Sequence, residues 1–163
     1  MEADARARTA HGNVPHQFFE DVRAAIFSPK GELLLVRHAY ADRLWSLPGG
    51  SRDHPETFPA AILREVQEET NIAWRIGALI GLYVGVKGKR SVALFLGDTD
   101  ADVAPYPNDP NEIAEARIFA ENEIPWGEMF PAQTHLVRHA LEQQHHIFKT
   151  VRLDTLGYRE YER

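Results

Sequence analysis

Four glutamates, Glu56, Glu65, Glu68 and Glu69, stand around one arginine, Arg64, in the stretch WSLPGGSRDHPETFPAAILREVQEETNI (residues 45–72), directly after a Pro-Gly-Gly turn. Like charges crowded on a helix repel, and an i,i+4 pair such as Glu65 and Glu69 disfavours an isolated helix by about 0.2–0.5 kcal/mol. A hard divalent cation compensates such a cluster, because Mg²⁺ and Mn²⁺ prefer carboxylate oxygens. A run of glutamates is more often a solvated helix face. The helical wheel argues against that here. Phe58, Ile62 and Val66 form one apolar stripe at i, i+4 and i+8. At about 100° per residue, Glu65 and Glu69 project within roughly 40° of Phe58 and Ile62. Glu68 lies further toward solvent. Carboxylates that border a core-facing stripe need a partner or a metal.

The same residues resemble the Nudix box, G-x5-E-x7-R-E-U-x-E-E-x-G-U, where U is aliphatic. Gly50, Glu56, Arg64, Glu65, Val66, Glu68, Glu69 and Ile72 match it. Asn71 stands where the family has its final glycine. That position caps the helix in the left-handed conformation, which Asn tolerates best after Gly. Pro55 replaces a frequent but unrequired glycine. The likeness extends more weakly from about Asp21 to Ile124, through LLLVRH, W-x-L-P-G-G and a return strand in NEIAEARIF.

The resemblance implies an α/β protein with the Nudix fold, an α/β/α sandwich with a mixed β-sheet. It implies metal-assisted attack of water on the phosphoanhydride (pyrophosphate) bond of a nucleoside diphosphate linked to another moiety. Mg²⁺ is the implied cofactor, with Mn²⁺ as a substitute. Glu65 and Glu69 would be metal ligands, Glu68 would contribute directly or through water, and the Gly49 carbonyl often joins them. Glu56 and Arg64 would form an ion pair that orients helix and loop. Either Glu68 or Glu69 would act as general base. An acid preceding the return strand often reaches the metals, which singles out Glu112, with Glu115 as the alternative and an ordinary solvent-facing acid as the plain reading. Arg23 and Arg37, on strands near the cleft, could bind phosphate. Tyr83 or Trp45 could stack on a base. An exposed strand arginine and a core aromatic are the plain readings of those four.

At 163 residues the chain has the length of one domain and can bury a full core. Residues 1–16 read as a flexible lead and 17–163 as a single domain. With 18 basic and 24 acidic residues the net charge is −6, which disfavours nucleic acid and membrane surfaces as partners. A small nucleotide-type substrate is the expected partner. Many members of the family also pair as homodimers, though no dimer face is marked in this sequence. Zero cysteines exclude disulfides, thiolate metal sites and a cysteine nucleophile. The polar N-terminus lacks a signal-peptide core and no apolar run approaches a membrane span, so the cytoplasm is expected.

The elements that must position these groups alternate between strand and helix. Phe19 to Phe27 reads as a strand, Pro29-Lys30-Gly31 as its turn, and Glu32 to His38 as a strand buried on both faces. Thr57 is the expected N-cap of the glutamate helix, with Pro59 in its first turn, and the helix should run to about Thr70. Trp74 to Val86 reads as a strand bent at Gly77 or Gly81, Gly85 to Lys89 as a turn, and Ser91 to Leu96 as a strand. A long Asp-, Pro- and Asn-rich loop precedes a short strand at Ala116 to Ala120. Gln133 to His145 reads as an amphipathic helix with Leu136, Val137, Ala140 and Leu141 inward. Residues 148–163 carry no clear pattern.

Other groups carry less. His145 and His146 are adjacent on a helix, about 100° apart, and cannot share a metal. His38 and His54 flank the site without a catalytic partner. Lys87, Lys89 and Arg90 could hold phosphates or simply tip a hairpin. The family's ADP-ribose subgroup tends to carry proline where Lys87 stands. Its dinucleoside-polyphosphate subgroup tends to carry tyrosine near Lys89. Nucleoside triphosphates, oxidised or ordinary, and nucleotide sugars remain open as substrates. A nucleotide sensor on the same fold would be marked by lost carboxylates, and none is lost.

Overall fold

The computed structural model describes residues 19–40, 42–85, 90–102 and 104–151, with side chains described up to Gln144. The expected lead at residues 1–16, the lysines at 87 and 89 and the stretch 152–163 lie outside the described residues, as do the side chains of His145 and His146. Six strands form one sheet: β1 (Phe19–Phe27), β2 (Leu33–His38), β3 (Trp45–Ser46), β4 (Arg75–Val84), β5 (Arg90–Asp98) and β6 (Ile113–Phe119). Among the described residues two α-helices accompany them, α1 (Phe58–Thr70) and α2 (Pro131–Val151). The order is β3-β2-β1-β5-β4, with β6 paired to β2. β1 and β5 run parallel, from Phe19 opposite Arg90 to Phe27 opposite Asp98, and every other pair is antiparallel. The sheet is therefore mixed, as expected.

Strand pleat decides which helix each residue meets. On β1, Val22, Ala24 and Ile26 turn to the side of α1 and pack with Ala61, Ile62 and Val66. Ala25 and Phe27 turn to the other side and pack with Leu136, Val137, Ala140 and Leu141 of α2. One sheet between two helices is the α/β/α sandwich. Leu33 to Val36 are almost wholly buried because β2 lies inside the sheet with a helix layer over each face. Ile62 and Val66 are fully buried, and each contributes about 1.5–3 kcal/mol relative to an exposed side chain.

The helix that carries the glutamates is bounded by its own sequence. Thr57 Oγ1 accepts the N–H of Ala60 at 3.3 Å, and proline occupies the first turn. Asn71 closes the helix at φ 50°, ψ 23°, with its N–H on the Gln67 carbonyl. Elsewhere the boundaries shift. β6 begins at Ile113 rather than Ala116, because residues from Ile113 onward continue the ladder to β2. α2 runs from Pro131, earlier than expected, and continues to Val151. The bend foreseen in β4 takes the form of register shifts between Ile76 and Gly81. Among the described residues no helix is long and apolar enough to cross a membrane.

Candidate active site

The Pro-Gly-Gly segment lies against β1 as an irregular extra strand. Val22 donates its N–H to the Gly50 carbonyl at 2.8 Å, Ala24 donates to Pro48 at 3.0 Å, and Arg52 donates back to Glu20 at 2.7 Å. Gly49 sits between these bonds at φ +136°. A Cβ there would lie 2.1 Å from the Val22 carbonyl oxygen, so only glycine allows so close a backbone approach. At Gly50 a Cβ would lie 2.7 Å from the Glu65 carboxylate. The two glycines thus bring loop and helix together.

Glu69 is 5% exposed, and its Oε2 accepts the Gly49 N–H at 2.8 Å. Burial pushes its carboxyl up to about 8, against the bond from Gly49 and the charge of Arg23. Burial also raises Glu65, which Arg64 partly offsets. Glu68 faces solvent, its side chain 56% exposed. The helical wheel likewise sets Glu65 and Glu69 beside the apolar stripe and Glu68 toward solvent.

Arg64 gathers the acids around it. It bonds both oxygens of Glu56, at 2.5 and 3.3 Å, and also Glu65 at 2.8 Å, Glu68 at 3.4 Å and the Ser51 carbonyl at 3.2 Å. Its bonds hold the Glu56 carboxyl below the usual carboxylate range. The bidentate Glu56–Arg64 pair joins the loop to α1. Arg52 adds a second tie that the sequence did not reveal: it pairs with Glu20, donates to the Glu56 carbonyl at 2.5 Å and lies 5.1 Å over the Phe58 ring.

Arg23 donates to the carbonyls of Leu47, at 3.3 Å, and Gly49. Glu112 is exposed at the foot of β6, and its charge acts on both Glu69 and Tyr40. Arg37 and Glu115, directly opposite across β2 and β6, form a 2.7 Å ion pair. That pair commits Glu115, the alternative to Glu112, to a strand contact. Arg37 also lies 5.5 Å over Trp45, which is 4% exposed and edge-on to Phe119 in the core. Tyr83, on the edge strand β4, packs edge-on to His139 of α2 and hydrogen-bonds its imidazole. His38 is buried, with Nε2 2.9 Å from Ser46 Oγ, and burial lowers its pKa. His54 is exposed in the loop.

Asn71 does more than tolerate its backbone angle. Its Nδ2 donates to the Tyr106 carbonyl at 3.1 Å and to Asn108 Oδ1 at 2.5 Å. The backbone N–H groups of Tyr106 and Asn108 in turn bond the last carbonyls of α1, on Thr70 and Glu68. The loop that leads to Glu112 is thereby fastened to the end of the glutamate helix. Asn71→Gly should cost under about 1 kcal/mol, since glycine relieves the left-handed angle while the exposed bonds are lost. Amide exchange over residues 104–112 should nevertheless quicken. Unchanged protection of that loop would refute the tie.

The donors here are all oxygens, which fits a hard divalent cation, and a buried carboxylate raised so far gains from one. As they stand, no three acidic or histidine side chains among the described residues converge as a ready cage. Arg64 and the Gly49 N–H hold the carboxylates instead.

A profile of the NUDIX domain matches residues 18–140, and the chain belongs to the Nudix family. Over 100 residues it is 30% identical to a Bacillus subtilis (strain 168) protein whose name proposes an 8-oxo-dGTP diphosphatase. That match spans 61% of this chain and 65% of the relative, a little under two thirds of its length. A NUDIX hydrolase from Nitrosomonas europaea superposes with a TM-score of 0.70 at 27% identity, over 80% of this chain and 73% of that one. An ADP-ribose pyrophosphatase from Streptococcus suis superposes with a TM-score of 0.60 at 26% identity, over 77% and 91%.

Proposed function

We propose that the protein is a nucleotide pyrophosphohydrolase. It would cut the phosphoanhydride bond of a nucleoside diphosphate linked to another moiety, with Mg²⁺, or Mn²⁺ in its place, held by Glu65, Glu68, Glu69, Glu112 and the Gly49 carbonyl. The observation that carries this reading is the burial of Glu69 against the Gly49 peptide, beside a second carboxylate raised by burial. Neighbouring carboxylates raised by burial beside a glycine loop mark a functional site more often than a structural one. When bound, the cation supplies charge neutralisation of the diphosphate and polarisation of the phosphorus under attack.

The chain's own groups do the rest. Arg64 and Glu56 fix the first turns of α1 against the glycine loop, so the carboxylates keep their spacing. The exposure of Glu68 favours it as general base, since it meets water while Glu69 is held by Gly49. Arg23, which donates to the glycine loop, would meet the substrate's phosphates, whereas Arg37 has its partner in Glu115. The names of the relatives put an oxidised nucleoside triphosphate and ADP-ribose forward as substrates. Lys87, where the ADP-ribose subgroup tends to carry proline, weighs against the second. The cytoplasm stays the proposed compartment, and the acidic balance disfavours membrane surfaces as partners.

The test is incubation with Mg²⁺ or Mn²⁺ and a panel of nucleoside triphosphates (8-oxo-dGTP included), nucleotide sugars, ADP-ribose and dinucleoside polyphosphates, with Glu69→Gln as control. Turnover by the wild type alone is expected, and the products identify the bond cut. Tight nucleotide binding without turnover by either protein would overturn the hydrolase in favour of a sensor.

A further inference from the structure

We propose that Arg23 is an internal counter-cation: its guanidinium occupies the Gly49 carbonyl in the metal-free protein and competes there with the divalent cation. The inference rests on the metal-site reading above and adds a displacement step to it.

β1 brings Arg23 to this position by its backbone register. Val22 and Ala24, the residues on either side, donate to the carbonyls of Gly50 and Pro48. The Gly49 carbonyl between them takes no ladder bond and receives Arg23 Nη1 instead, which also reaches the Leu47 carbonyl at 3.3 Å. The N–H of the same glycine goes to Glu69 at 2.8 Å. One residue is held between a guanidinium and a carboxylate. The Arg23 charge also acts on Glu65 and Glu69. A monovalent cation thus stands on the carbonyl oxygen, within electrostatic reach of the carboxylates, where the family resemblance puts a divalent one.

The guanidinium already takes one lone pair of that oxygen, and a second cation a few ångströms away would be repelled by its charge, so the two compete for the site. Among the described residues the carboxylates make no ready cage, and Arg64 engages Glu65 and Glu68 while Arg23 faces the glycine loop. Cation binding would therefore favour an Arg23 turned away from the Gly49 carbonyl. Arg64 remains tied to Glu56 through two bonds, so Arg23 is the arginine free to move toward the incoming diphosphate. One side chain would screen the acids before the metal arrives and meet the substrate afterwards.

The test is calorimetric titration of Mn²⁺, without nucleotide, into wild type, Arg23→Met and Glu69→Gln. Arg23→Met should bind Mn²⁺ about tenfold more tightly than wild type, because a competing charge has been removed, and its metal-free Tm should fall. A merely structural arginine would weaken metal binding when lost. Should Arg23→Met not fold, the wild type decides: saturating Mg²⁺ should speed solvent exchange of the Arg23 guanidinium protons in ¹⁵N-resolved spectra. Equal or weaker Mn²⁺ binding by a folded Arg23→Met, or guanidinium protons that Mg²⁺ leaves unchanged, would overturn the inference alone. Absence of Mn²⁺ binding by the wild type would sink the metal-site reading and this inference with it.

Discussion

Glu69→Gln is expected to lower kcat by about a thousandfold or more, about 4 kcal/mol of transition-state stabilisation, while the protein stays folded. The substitution is close to isosteric, and the amide oxygen can still accept the Gly49 N–H that Glu69 Oε2 accepts at 2.8 Å. What is lost is the negative charge that a cation needs. The metal-free protein gives an independent readout. Burial raises the Glu69 carboxyl from 4.5 to about 8, so the folded chain holds a proton that the unfolded chain has released across that window. This contribution to stability is fully present below pH 4.5 and disappears as pH rises through about 8. Wild type in chelator should thus lose Tm between pH 5 and 8 relative to Glu69→Gln, whose side chain never ionises. Glu65 is raised as well and shares the direction, but it is common to both proteins and cancels in the comparison. Mg²⁺ at pH 8 should restore the wild type and leave the variant unmoved. A Tm difference that stays constant with pH would mean that Glu69 is ionised in the metal-free fold.

Much of this architecture is legible in the sequence because its signals are local. Phe19–Phe27 is recovered residue for residue, and Thr57 and Asn71 mark the two ends of α1 by their capping chemistry. The inward stripe of α2, Leu136, Val137, Ala140 and Leu141, follows from helical spacing. β3 escapes because two residues carry no periodicity. β6 starts early because its extent is set by pairing with β2, which is remote in sequence.

The site divides along the same line. Glu56, Arg64, Glu65, Glu68 and Glu69 are close in sequence, on one helix and the loop before it, so their spacing already fixes their mutual geometry. Contacts between distant elements had no such signal. Glu115 looks like any loop acid until the β2–β6 register places it opposite Arg37. Arg52 gains its role only when Glu20 of β1 and the ring of Phe58 come together around it. Asn71 reads as a tolerated departure from the box, whereas its side-chain amide reaches 37 residues ahead to Asn108. Capping chemistry identifies the helix end, and the loop it fastens depends on the tertiary fold.

Gly49→Ala should destabilise the fold by more than about 4 kcal/mol, at the far end of what single substitutions do. Two penalties combine. An L-residue at φ +136° is strained whatever the space around it. The added Cβ would also lie 2.1 Å from the Val22 carbonyl oxygen, 2.9 Å from its carbon and 3.0 Å from the Arg23 Cα. All of these are backbone atoms of a central strand, so none can swing aside. Relief requires the segment from Pro48 to Arg52 to leave β1, which breaks its bonds to Glu20, Val22 and Ala24. The Gly49 N–H would then leave Glu69 buried without its donor. Gly50→Ala is the informative contrast. The atoms its Cβ would meet first belong to the Glu65 carboxylate, the far end of a side chain, at 2.7 Å. That variant should keep most of its stability and lose metal affinity, because the displaced group is a proposed metal ligand rather than strand backbone. Urea unfolding of both variants, read beside Mn²⁺ titration, separates the two cases. If Gly49→Ala unfolded within about 1 kcal/mol of wild type, the glycine loop would not be anchored to β1 as described.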